Sequence, residues 1–165
     1  MTTPVSPEAA ALRHYLDAQR ASALAILDGL TDDQLRTAVL PSGWTPIGLI
    51  KHLADAERHW FQRVFAGAMA DDRWLEDGGN PLAEDHPPAE VFAFYRDQCD
   101  RSNAVLATTP LDTKPAGSHP GGDPDGEVAD LRGITLHMIE ETARHLGHLD
   151  AARELIDGRT GLGPR

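Results

Sequence analysis

The sequence lacks most of what secreted, membrane-embedded and disulfide-linked proteins depend on. Its single cysteine, Cys99, excludes an intrachain disulfide and favours a reducing, cytoplasmic setting. No apolar run approaches the roughly 18 residues of a membrane span. Residues 1–20 also lack the basic and then strongly apolar layout of a secretory signal. These absences predict a cytoplasmic protein with no membrane segment.

Positive charge is also scarce. The chain has 15 basic residues against 26 acidic ones, for a formal net charge of -11, and only Lys51 and Lys114 are lysines. A surface this acidic repels phosphate backbones, which argues against nucleic-acid binding. The alternation of apolar and polar residues typical of strands is nearly absent, so a β-rich fold is not expected.

Helical periodicity is abundant instead. Four long segments carry apolar stripes at helical spacing: residues 7 to about 30, 45–67, 88–108 and about 127–157. Ser6 and Thr45 precede prolines and are predicted N-caps, Thr31 caps a shorter turn of helix, and Gly158 is a predicted C-cap. The sequence therefore predicts an all-α four-helix bundle that forms one domain over residues 1–165.

Two connections are far longer than is usual between bundle helices. Residues 68–87 contain acidic clusters, glycines and prolines, and residues 110–127 contain the Gly/Pro-rich run TKPAGSHPGGDPDGE. Long loops can cover one end of a compact bundle, so we interpret the first as a loop or lid.

The last predicted helix has polar side chains on its apolar face. With about 100° per residue, Glu141, His145 and His148 lie in the same sector as Ile134 and Ala152. A buried carboxylate must be paired, protonated or bound to a metal. Glu141 and His145 are four residues apart, so both side chains can reach one point, although this spacing is less diagnostic than H-E-x-x-H.

His52, in the second predicted helix, is the candidate third ligand because facing helices of a bundle converge on the core. Two imidazoles and one carboxylate leave a coordination position open, as in catalytic zinc sites, and the same set suits Fe(II) or another divalent ion. Other interpretations remain open. Glu141 can simply hydrogen-bond to His145 or to an arginine, and His52 can bond to a helix carbonyl.

The other candidates have supporting roles or none. We expect His59 to be a supporting or surface group and His137 to pack or hydrogen-bond at the edge of the apolar sector. Cys99 is expected to be a small core or edge residue rather than a nucleophile. Three further histidines have no partner at a useful spacing and are expected to be solvated: His14, His86 and His119.

The two motifs together resemble the DinB-like superfamily, and within it the actinobacterial group related to mycothiol-dependent maleylpyruvate isomerase. They are GWTPIGLIKHLADAERHWFQRVFAG, residues 43–67, and LHMIEETARHLGHLDAARELIDG, residues 136–158. The resemblance implies a four-helix bundle of DinB type with two long connecting loops and a divalent metal in its core. Zinc is the first expectation, with nickel or iron as alternatives. Matched position by position, the ligands fall on His52, Glu141 and His145.

Many members of that superfamily have histidine where this chain has Glu141, and their motif ends in HRGQ where this chain has HLGH. A glutamate there is similar to the mycothiol-dependent isomerase. That enzyme's C-terminal sterol-carrier-like domain has no counterpart in this sequence, so maleylpyruvate is not the expected substrate. The resemblance implies a metal-dependent thiol S-transferase or isomerase-like enzyme that takes a mycothiol-type thiol and a small electrophile. His148, by its position alone a supporting or surface group, is then a candidate either to orient a ligand or to act as the catalytic base, and no residue is assigned to binding the thiol.

Two other functions fit the same residues. One is a metal-dependent hydrolase in which a water is activated instead of a thiol. The other is a metal-binding stress protein without enzymatic activity, acting as a homodimer, although no sequence feature decides the oligomeric state. Asp55 and Glu57 are candidates for supporting a ligand, and Glu57 is more simply a solvated or salt-bridged carboxylate.

Overall fold

A computed structural model of the protein describes residues 6–68, 86–119 and 128–160, and every regular element in these ranges is a helix. The elements are α1 Pro7–Leu27, α2 Asp32–Leu35, α3 Pro46–Glu57, a π-helical segment Arg58–Phe65 that continues α3, α4 Pro88–Thr108 and α5 Leu131–Asp157. The predicted all-α fold is confirmed. Residues 69–85 of the predicted loop or lid at 68–87, and residues 120–127 of the loop at 110–127, lie outside the described residues.

The caps read from the sequence are confirmed. The Ser6 hydroxyl accepts a hydrogen bond from the amide of Ala9, and the Thr45 hydroxyl accepts one from Gly48. Thr31 forms a reciprocal capping box with Gln34 at the start of α2. Each cap satisfies an amide that the first turn of a helix leaves without a partner.

Two predicted boundaries differ from the structure by a few residues. Helix α1 ends at Leu27 rather than near residue 30, because Asp28 leaves the helical conformation and Gly29 has a positive φ of 77°. Helix α5 begins at Leu131 rather than near residue 127. Its N-cap is Asp130, whose carboxylate accepts a hydrogen bond from the amide of Gly133. Its other end is as predicted, with Gly158 in the left-handed conformation.

The π-helical segment was not predicted. The sequence indicated one continuous helix to Gly67, but after Glu57 the backbone changes to wider hydrogen bonding, such as Ala66 N–H to Phe61 O at 3.1 Å. Segments of this kind are rare and are frequent at functional sites. Three of its side chains are buried in the core: Phe61, Val64 and Phe65.

The core consists of two clusters along the bundle. In one, the end of α1 and the end of α5 meet the beginning of α3 and of α4, and it includes Ile26, Leu149, Ile50 and Val91. In the other, the opposite ends of the same helices meet around Met138. Helices α1 and α5 therefore run one way and α3 and α4 the other. Residues 66–87 consequently join opposite ends of the bundle.

Membrane insertion is not indicated by the helices. Within the three described ranges, none of them combines enough length with enough hydropathy to cross a bilayer.

Candidate metal centre

The three residues predicted to share a cation converge on the seam between α3 and α5. The Nε2 atom of His52 lies 2.9 Å from Oε1 of Glu141, and the Nε2 atom of His145 lies 3.1 Å from the same oxygen. One ligand atom from each residue lies within 4.8 Å of the other two. The helices thus bring together side chains that are 89 residues apart in the chain. That they bind a metal stays a prediction.

The triad is half-buried, which corrects the expectation of a carboxylate enclosed in the core. The side chains of His52, Glu141 and His145 are 31%, 22% and 13% exposed. The polar groups of α5 therefore lie at the edge of its apolar sector. A site at that edge can exchange an ion or a small molecule with solvent, which a sealed core site cannot do.

Hydrogen bonding holds Glu141 in its ionised form. The bonds to His145 and then to His52 lower the pKa of this carboxyl group far below its usual range, against the opposing effect of burial. Glu141 therefore carries a negative charge throughout the physiological pH range. A proton on each Nε2 makes these hydrogen bonds. A metal ion would take the place of those protons, since imidazole binds metals through a nitrogen lone pair.

Trp44 packs over both imidazoles of the triad. Its ring centroid lies 5.2 Å from that of His52 and 6.0 Å from that of His145. The residue directly precedes the Thr45 cap of α3, so the start of that helix fixes its position. This contact limits the rotation of the two rings, and helical periodicity gave no sign of it because Trp44 lies outside the helix.

His148, the candidate base, lies beside the triad on the next turn of α5. Its ring centroid is 5.9 Å from that of His145. In the described part of the chain, the Nδ1 atoms of both rings are buried without a hydrogen-bond partner. A buried, unpaired ring nitrogen is a costly arrangement unless a ligand or water completes it. His148 therefore has a nitrogen available for a proton or a ligand, and its catalytic role stays a prediction.

The two acidic residues proposed to support the triad have other partners. Asp55 pairs with Lys51 at 3.5 Å and with Arg58 at 3.1 Å. Glu57 lies on another face of α3 and is fully buried, so the interpretation of a solvated carboxylate was wrong and that of a salt bridge was right. Its partner is Arg20 of α1. The sequence did not indicate this pairing because the two residues are 37 positions apart in the chain.

Cys99 is unsuited to act as a nucleophile. Burial, followed by the nearby charge of Glu57, raises the pKa of its thiol to about 12. The thiolate fraction near neutral pH is therefore far smaller here than in an ordinary cysteine. Any reactive sulfur at the triad must therefore come from another molecule.

A second group of histidines lies further along the seam. Nε2 of His59 is 2.8 Å from Nδ1 of His119, and the ring of His119 stacks on Trp60 at 5.0 Å. His137 of α5 contacts the same indole ring at 4.6 Å. Burial, and then the neighbouring His119 and Arg63, lower the pKa of His59. The expectation that His119 is simply solvated was wrong, because the segment that carries it is docked on the π-helical segment.

That docking depends on backbone contacts. The amide of Ala116 donates to the carbonyl of Phe65 at 2.8 Å, and the amide of Gly117 donates to Val64 at 2.9 Å. A Cβ atom at Gly117 would clash with the carbonyl oxygens of Arg63 and Val64. Glycine is therefore required for this close approach, and no helical or strand periodicity in residues 110–119 could have predicted it.

The fold and the converging side chains define a class: a helical bundle with a candidate divalent-metal centre between two of its helices. The sequence profile of the mycothiol-S-transferase family matches residues 11–158, so the chain belongs to that family and to the DinB-like superfamily. The resemblance stated from the two motifs is thereby confirmed. A comparison with curated proteins found no match.

Proposed function

We propose that the protein is a metal-dependent S-transferase that joins a mycothiol-type thiol to a small electrophile. The observation that carries this proposal is the convergence of His52, Glu141 and His145 on a half-exposed seam. Membership of the mycothiol-S-transferase family supplies the thiol class. A cytoplasmic setting, where such thiols are kept reduced, is part of the same proposal.

The side chains fit a divalent ion. Two imidazole nitrogens and one carboxylate oxygen are ligands that zinc accepts while keeping a position open, and nickel or iron also accept them. Trp44 restricts the two rings, as supporting residues around a metal often do. Held by His52, Glu141 and His145, such an ion would act as a Lewis acid and would lower the pKa of a thiol bound beside it.

In this proposal His148 receives the thiol proton. Its ring is next to that of His145 and has a buried nitrogen without a partner. The sulfur then attacks an electrophilic carbon. With a chloro-nitroarene as the electrophile, a C–S bond forms, the C–Cl bond breaks and chloride leaves with its electron pair. The proton passes from His148 to water, so that the residue is ready for another cycle.

Metal content and thiol consumption test the proposal together. Protein purified without a histidine tag or chelator is expected to contain about one divalent ion per chain, as a three-ligand site would hold. Glu141→Ala should lose the ion and the metal-dependent consumption of mycothiol with a chloro-nitroarene. His14→Ala is the matched control, since this exposed histidine of α1 is far from the seam in sequence and should change neither.

His148→Ala separates the base from the ligands. The variant should retain the metal but react about 10²-fold more slowly. That is the lower end of the rate loss expected when a general base is removed. Equal thiol consumption with and without metal would overturn the proposal. Metal-dependent ester or amide hydrolysis without thiol consumption would instead favour the hydrolase, and absence of metal in purified protein would remove the premise.

A further inference from the structure

The paired imidazoles of His59 and His119 resemble the triad in one physical respect. In both places, two side-chain atoms that can each bind a metal lie within about 3 Å of one another. The triad is formed by α3 and α5, and the pair is formed by the π-helical segment and the docked segment 110–119. His59 lies seven residues beyond His52, roughly 10 Å along a helix that rises 1.5 Å per residue.

We propose that His59 and His119 form a second, independent binding site for a divalent transition-metal ion. The proposal does not depend on the S-transferase function. Both rings are half-buried, so an ion can reach them while the protein restricts their movement. The remaining coordination positions are filled by water, because the two imidazoles supply only two ligands.

The ligand type narrows the choice of ion. Imidazole nitrogens suit nickel, copper and zinc, and a site of given ligands generally binds Cu(II) more tightly than Ni(II) or Zn(II). The 2.8 Å between the two nitrogens is a hydrogen-bond distance, so an ion would replace the shared proton and move the rings slightly apart. We therefore expect nickel or copper to bind here.

Two features favour a cation and one opposes it. Trp60 packs against both rings and fixes them, and the protein as a whole is strongly acidic. The positive charges of Arg58 and Arg63 oppose binding. Asp55 pairs with Arg58, and solvent screens the exposed Arg63. The repulsion between each arginine and a bound cation is therefore weakened.

The test counts bound ions in intact protein dialysed against Ni²⁺. Wild-type protein should hold about two divalent ions per chain, one at each site. His119→Ala and Glu141→Ala should each hold about one, and the double variant should hold none. His14→Ala should behave as the wild type. A single ion in the wild type, or two in His119→Ala, would overturn the proposal.

Tryptophan fluorescence gives a second readout that does not depend on stoichiometry. Trp60 adjoins the imidazole pair and Trp44 adjoins the triad, so each site has its own reporter. With Trp44→Phe and Trp74→Phe, only Trp60 remains, and Ni²⁺ should quench its emission. His59→Ala and His119→Ala should each remove the quenching. Quenching that persists in both variants, with helix content by circular dichroism unchanged, would contradict the site.

Discussion

Two glutamates lie on different faces of helix α3: Glu57 belongs to α3 itself, and Glu141 of α5 meets α3 at the seam. Glu57 is fully buried and accepts two hydrogen bonds from Arg20, both at 2.7 Å, and one from Ser102 at 2.7 Å. Glu141 is 22% exposed and is held by two imidazoles. The first carboxylate has cationic and hydroxyl donors, while the second has imidazole partners, which can also serve as metal ligands.

The difference separates a structural carboxylate from one suited to chemistry. A guanidinium stays protonated in proteins, so nothing can displace it from Glu57 without leaving a buried charge. Burial alone would lower the pKa of Arg20, and the ion pair with Glu57 more than offsets this, so that pKa is raised. An imidazole nitrogen can bind a metal ion in place of a proton, or it can transfer a proton to a substrate. Three substitutions or treatments test this contrast.

The largest effect is expected from Glu57→Gln. It removes the buried carboxylate that accepts two hydrogen bonds from Arg20 and leaves the guanidinium only the more exposed Asp17 as a counter-charge, which should cost about 3 kcal/mol of unfolding free energy. For a chain of this size the melting temperature should fall by about 10 °C. Glu141→Gln in metal-stripped protein should cost less than about 1 kcal/mol, because this carboxylate is partly exposed.

Urea denaturation followed by circular dichroism measures both values. Equal losses of unfolding free energy in Glu57→Gln and Glu141→Gln would show that the two carboxylates contribute equally to stability. The contrast drawn between them would then be wrong.

An intermediate effect is expected from metal addition. Zn²⁺ at 100 times its dissociation constant should stabilise the folded protein by about 2.7 kcal/mol, because it binds the folded chain only. The melting temperature should rise by about 5–10 °C in the wild type and in Glu57→Gln. The rise should be much smaller in Glu141→Gln, in which only the weaker pair of His59 and His119 remains for zinc. It should also diminish as the pH falls, because protons compete with the ion for imidazole nitrogens.

Thermal scans at several Zn²⁺ concentrations provide this measurement. A rise of similar size in Glu141→Gln would place the ion somewhere other than the triad.

The smallest effect is expected in an experiment that leaves the sequence unchanged. It measures the rate at which the thiol of Cys99 is alkylated. This thiol is partly buried beside the Glu57 side of the bundle, and its pKa is raised to about 12. Alkylation by iodoacetamide should therefore be slow, and its rate should increase about tenfold for each pH unit between pH 8 and 10. Mass spectrometry of the alkylated fraction follows the rate. An ordinary exposed thiol would instead reach a plateau near pH 9.

The predictable parts of the fold were those determined by local sequence. Ser6, Thr45 and Gly158 identify helix ends because capping depends on a side chain and its nearest backbone groups. The π-helical segment was missed because the apolar spacing around Phe61 fits an α-helix nearly as well. Only tertiary contacts, such as the docking of Gly117, decide between the two.

The same distinction applies to the candidate sites. Glu141 and His145 could be selected together because four residues is one helical turn. The choice of His52 required the assumption that α3 faces α5. The partners of Glu57 and His59 are 37 and 60 residues away, and neither Arg20 nor His119 has a spacing that marks it. Long-range polar pairing is therefore what this sequence conceals.

The hydrogen bonds between segment 110–119 and the π-helical segment also link the two long connections of the chain. The carbonyls of Val64 and Phe65 accept from Gly117 and Ala116, and the chain departs toward residues 66–87 directly after them. While these bonds persist, the backbone at residues 116 and 117 and the last turn of the π-helical segment are held together. A displacement of either one must therefore be transmitted to the other.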